Sequence, residues 1–199
     1  MEKKKIEKEK IEVNLAPINI KRAVFSIRGK TPLLIDKMPS DTLQAIQDKQ
    51  TGKSKSSKKV RDIAKEIDQA IHRTASGKIG FPAAGFKFGM IESTSFVGDK
   101  FFSKKLIKGL QIVNQEDGLV PIEFKKQDIL IHNIESNTKH TPQFHDWSCT
   151  LDIQFDANNV SEQDIAALIN YAGFYYGVGI WSPRCKCGGS YGMYELTTK

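Results

Sequence analysis

Cys185 and Cys187 flank Lys186, and Arg184 precedes them, in the run SPRCKCGGSYG. Two thiols one residue apart invite a soft metal. Zinc, however, needs four converging donors, and paired cysteine ligands are normally separated by two residues. The remaining soft donors are Cys149, His140 and His145, and Cys149 falls on the apolar face of a strand pattern. No metal is expected. His72, His132, His140 and His145 are the imidazoles available as general bases. None stands at informative spacing from a nucleophile or a second acid, and no acidic pair suits two-metal catalysis. Gly29-Lys30-Thr31 resembles the end of a phosphate-binding P-loop, but that pattern needs a glycine where Val24 stands. The chemistry on offer points to binding rather than turnover, with no cofactor.

The binding chemistry is cationic. The 199 residues carry a formal charge of +7. Such a balance favours an anionic partner, either nucleic acid or a phosphorylated ligand. Two stretches concentrate it. Residues 49–61, KQTGKSKSSKKVR, hold six cations and no acid, with Lys53, Lys55, Lys58, Lys59 and Arg61 as candidate phosphate contacts. The stretch Tyr171 to Leu196 holds six of the fifteen glycines, one of the two tryptophans, and the Arg184/Lys186 pair. Glycines Gly177, Gly179, Gly188 and Gly189 allow a backbone to come close, which suits a loop that grips a phosphate chain or a neighbouring subunit. Tyr175, Tyr176, Trp181 and Tyr191 are candidates to stack on bases.

The elements that must position these groups follow from periodicity. Residues 18–27, INIKRAVFSI, read as the first core strand. Ser40 to Asp48 reads as a short helix with Ser40 or Asp41 at its N-cap, and Val60 to Ile71 has the helical period. Residues 36–76 thus read as a helical excursion with a basic tip. Lys78 to Phe81 is a predicted strand, and Ala83 to Phe96 a helix with Phe86, Met90 and Ile91 on one side. Predicted strands follow at 104–113, 119–124 and 128–134, with 135–146 as a polar loop. In residues 147–155, Trp147, Cys149, Leu151, Ile153 and Phe155 share a face. Ser161-x-x-Asp164 opens a helix as a capping box, with Ile165, Leu168, Ile169 and Ala172 as its buried stripe. A strand over 191–197 closes the chain.

Without the excursion and the short hairpins, the order is strand, helix, strand, strand, helix, strand. That predicts an α+β protein with a ferredoxin-like βαββαβ core, an antiparallel sheet with both helices on one face, and a helical insertion after the first strand. The expected organisation is a charged tail over 1–17 and a single domain over 18–199, with the basic insertion at about 36–76. The odd cysteine count argues for reduced thiols, and MEKKKIEKEK lacks the apolar centre of a signal peptide. No apolar run approaches a membrane span. A cytoplasmic protein is expected, in a bacterium or a phage-infected cell.

A ferredoxin-like core with a glycine-rich loop between its last helix and last strand resembles the repeat-associated mysterious protein (RAMP) superfamily of CRISPR systems. Cas7-type backbone subunits share the layout. Gly177, Gly179, Gly188, Gly189 and Gly192, with the helix Ser161 to Gly173 before them, carry the resemblance. The strings GFPAAGFKFGM and GVGIWSP…GGSYGMYEL are also similar to small bacteriophage proteins. The resemblance implies repeated subunits along an RNA whose backbone they grip. It also implies a cleaving acid at the place of Asp36 in some relatives, and RNA cleavage by histidine in others. The expectation is therefore a non-enzymatic, oligomerising protein that binds RNA or single-stranded nucleic acid. Two alternatives use the same residues: capture of a small phosphorylated or cyclic nucleotide, and a structural assembly role in which the loop packs on a neighbour.

Overall fold

The computed structural model describes residues 17–52, 61–97, 104–134 and 137–197. The predicted tail, the basic tip over 53–60 and its Lys53, Lys55, Lys58 and Lys59 lie outside the described residues.

The protein is α+β. Its central sheet has four strands: β1 (Ile20–Gly29), β4 (Gln111–Ile112), β8 (Ser148–Asp156) and β9 (Tyr194–Leu196), in the order β4-β8-β1-β9 with every pair antiparallel. Strict alternation decides which side is buried. Ile27 of β1 and Cys149, Leu151, Ile153 and Phe155 of β8 turn inward, and Tyr194 of β9 joins them. Helix α3 (Ala83–Glu92) and helix α5 (Glu162–Tyr171) pack on each other and cover this apolar face. Gly89 permits that approach, since a Cβ there would sit 3.1 Å from Ala172. The α5 stripe is as its spacing predicts, with Ile165, Leu168, Ile169 and Ala172 all buried. The capping box is present too: Ser161 Oγ accepts from the Asp164 amide at 3.1 Å, while Asp164 accepts from the Ser161 amide at 3.0 Å.

A second sheet has three strands in the order β2-β7-β6, from β2 (Leu33–Leu34), β6 (Lys126–Ile134) and β7 (Asn137–His145). A small two-stranded antiparallel sheet pairs β3 (Gly80–Pro82) with β5 (Leu119–Pro121). The excursion after β2 carries α1 (Ser40–Gln50) and α2 (Ile63–Gln69). Neither helix buries a residue, and Lys65 joins them through Asp41 at 2.8 Å.

Four expectations are corrected. Residues 104–108 form a helix, α4 (Lys104–Lys108), rather than a strand, because Ile107 reaches the core while the lysines stay outside; only Gln111–Ile112 pairs. Residues 137–145 are a strand rather than a loop. Its polar sequence buries Thr141 on one side and Phe144 on the other, and β6 supplies its partner along the whole length. The last strand is confined to Tyr194–Leu196, since Gly192 and the residues before it belong to the loop. The N-cap of α1 is Pro39, with no side-chain cap, rather than Ser40 or Asp41.

Candidate nucleic-acid interface

The glycine-rich segment between α5 and β9 is a close-packed loop with a projecting tip. Helix α5 passes into a π turn over Ala172–Tyr176, closed by the Gly177 amide donating to the Ala172 carbonyl at 2.8 Å. The backbone amides of the loop floor are then spent on the protein itself. Val178 donates to the Gly192 carbonyl at 2.9 Å, Ile180 to Leu34 at 3.2 Å, Gly192 to Pro32 at 2.8 Å and Tyr191 to Trp181 at 3.1 Å. Gly192 has φ +64, and a Cβ on it would lie 1.8 Å from the Val178 carbonyl oxygen. No other residue fits that position. Gly177, Gly179 and Gly189 also press on backbone: a Cβ would meet Gly192 O at 3.0 Å, Leu34 O at 2.4 Å and Trp181 O at 1.9 Å respectively. Gly188 alone of the four predicted positions faces open space.

The cations stand outside this floor. Arg184 donates its amide to the Tyr176 carbonyl at 3.1 Å, and its guanidinium lies 5.4 Å from the Phe88 ring centroid. Arg184 and Lys186 are both exposed. Of the insertion's predicted contacts, Arg61 is described; it is exposed and held by Glu66 at 2.7 Å, a bond that raises the already high affinity of its guanidinium for a proton. Cys185 is half-buried, Cys187 exposed and Cys149 buried in a setting that pushes its thiol well above the usual range by desolvation. Among the described residues no three His, Cys, Asp or Glu side chains converge as metal ligands.

Trp181 does not face solvent freely. Its ring lies 4.4 Å from His132 of β6 and 6.1 Å from Tyr191, and its backbone takes φ +53, uncommon for a large side chain. Tyr191 is half-buried in the same contact. Asp36 is bound by Lys139 of β7, and His145 approaches Asp128 at 3.2 Å. Trp181 is thus one side of a seam between the loop and the β6-β7 pair.

The outer side of the four-stranded sheet is polar apart from exposed Ile20 and Val24 of β1. Its arginines are matched: Arg22 grips Asp152 through two bonds, while Arg28 and Lys30 both hold Glu195, at 2.8 and 2.9 Å. Hydrogen bonding from these cations keeps the Asp152 and Glu195 carboxyls below the usual carboxylate range. A groove of about 780 Å³ runs beside this side, lined in part by Ser26, Glu116, Glu123 and Thr150, and a second of about 410 Å³ by Arg28, Lys30, Lys125 and Glu195. The glycine-rich loop lines neither.

Sequence reasoning named Tyr175 as a stacking candidate but missed its partners on the helical side. There Phe96, Tyr171 and Tyr175 lie with ring planes within 25° of one another, and Phe174 meets Tyr175 edge-on at 4.9 Å. Phe88, Phe96, Tyr171, Phe174 and Tyr175 are all exposed. The available signal was spacing: Phe88 falls off the buried stripe of Phe86 and Met90, and Tyr171 and Tyr175 are one helical turn apart. Tyr176 turns the other way and donates its hydroxyl to the Glu92 carbonyl at 3.2 Å.

No family model and no curated protein matches the chain. Among solved structures, the crystal structure of Cmr6 from Pyrococcus furiosus is similar, with a TM-score of 0.41 at 8% identity over 90% of this chain and 98% of that one. No helix among the described residues is long and apolar enough to cross a membrane.

Proposed function

We propose that this protein binds RNA or another single-stranded nucleic acid without cleaving it, as a ferredoxin-like, RAMP-type subunit that assembles with further copies along the polymer. The strand order β4-β8-β1-β9, with α3 and α5 on one face, supports the ferredoxin-like reading. The observation that carries the function is the exposed tip at Arg184 and Lys186, held out by a glycine-packed floor whose own amides are occupied. A tip so mounted presents the two cationic side chains outward. It suits phosphates spaced along a chain, where each neutralised phosphate releases counterions. Each arginine of the sheet's outer side is held by a carboxylate, Arg22 by Asp152 and Arg28 by the Glu195 that Lys30 shares.

Titration of labelled single-stranded RNA and DNA over a salt series tests the proposal. Each of Arg184→Ala and Lys186→Ala should weaken binding similarly for all sequences and reduce the slope of log K against log salt by about 0.7. Absence of binding at low salt removes the proposal. So does a slope that neither substitution alters.

A further inference from the structure

The helical side of the molecule carries a group of rings that neither the core nor the loop floor uses. Phe96 and Tyr175 stack with centroids 4.3 Å apart and planes 8° apart. Tyr171 extends the array at 5.9 Å from Phe96 and 6.3 Å from Tyr175. Phe174, 60% exposed, stands edge-on at its margin. The π turn brings this about. It adds a residue to the helical turn just where Phe174 and Tyr175 emerge, and such widened turns recur at functional sites. Four exposed aromatics in ring contact with one another exceed what a monomer scatters singly over its surface.

Charge tells what they are for. Arg184 is tied by its backbone to Tyr176, next to the array, and holds its guanidinium over Phe88. Lys186 follows two residues on. The neighbouring carboxylate, Glu92, is neutralised by Lys104 at 2.7 Å. The region therefore pairs flat apolar rings with unbalanced positive charge. Its complement is a polymer with a flat face and a negative charge in every unit.

We infer that Phe96, Tyr171, Phe174 and Tyr175 form a base-stacking platform for single-stranded nucleic acid, with Arg184 holding the phosphates beside it. The strand then lies along the helical side, not across the open side of the sheet. This rests on the nucleic-acid reading above and adds to it: the bases, not the phosphates alone, are held. Stacking accepts every base, so the platform gives affinity for unpaired strands with little sequence preference.

The test uses the full chain with three labelled probes: an oligouridylate, the abasic chain of the same length and charge, and a duplex. The variants are Phe174→Ser with Tyr175→Ser, and separately Arg184→Ala. Unchanged thermal midpoints establish that the variants fold, and Phe174→Leu with Tyr175→Leu provides a second pair that keeps apolar bulk while removing the rings. The wild type is expected to bind the oligouridylate about tenfold or more tighter than the abasic chain. Either ring-removing pair should abolish that difference and leave the salt slope intact, whereas Arg184→Ala should lower the slope. Equal binding of the abasic chain, or wild-type discrimination in both pairs, overturns the platform while the nucleic-acid reading stands. If the wild type binds no probe, both fall. If the ring variants change only self-association, the surface is a contact between copies and the platform is overturned.

Discussion

Gly192 and Gly188 share a left-handed backbone, yet they hold different burdens. Gly192 faces the Val178 carbonyl, while Gly188 has no atom within 4 Å of its would-be Cβ. Gly188→Ala should therefore cost about 1–2 kcal/mol, the steric price of that conformation alone. Gly192→Ala adds a backbone collision and should cost about 3 kcal/mol or more. Denaturant midpoints of the two variants separate the cases. At this scale the sequence announced that the loop needs glycine. It did not announce why. The expected close approach to a phosphate chain or a neighbouring subunit came from glycine content, whereas the floor packs on its own chain, with amides donating to Leu34, Pro32, Gly192 and Trp181, partners distant in sequence or set by the fold of the loop. Arg184 and Lys186 were legible because two cations in a glycine-rich turn have nowhere to be buried. Of the aromatic array only Tyr175 was, because Phe96 and Tyr175 meet only once α3 and α5 have packed.

Among the elements, α5 was the most legible, for its cap and its stripe are both local. Ser161→Ala should destabilise the protein by about 1 kcal/mol, with thermal unfolding as the measurement. Helix α4 and strand β7 were misjudged for the opposite reason. Five residues carry too little periodicity to separate helix from strand, and the polar run of β7 owes its extended form to β6. The junction of β1 with β9 brings a pH dependence. Glu195 is held below the usual carboxylate range first by Lys30 and then by Arg28. Its stabilising contribution is complete above the ordinary glutamate value and fades as pH falls through the lower value of the folded state. Replacing it, Glu195→Gln, should flatten that acid limb in a plot of unfolding midpoint against pH.

For the molecule as a whole, order is unevenly distributed. Strands β1 and β8 lie at the centre of the sheet over a continuous core, while α1 and α2 bury nothing. Amides of α1 should exchange with solvent fastest among the helices, and those of β1 and β8 slowest, in a hydrogen-exchange series. Fold class was readable at this scale because alternation in β8 and the stripe of α5 define a one-sided sheet with helices over it. The second sheet was not, since it needs β2 to find β7 across more than a hundred residues.

Strand β1 finds both of its neighbours very late in the chain. Arg22 meets Asp152 at a separation of 130 residues, and Arg28 meets Glu195 at 167. During synthesis β1 must wait, unpaired, until β8 and then β9 have left the ribosome. Closure of so large a loop puts this domain among the slow folders, and a refolding time course should show β1 gaining protection in the same step as β8 and β9, with no earlier phase of its own.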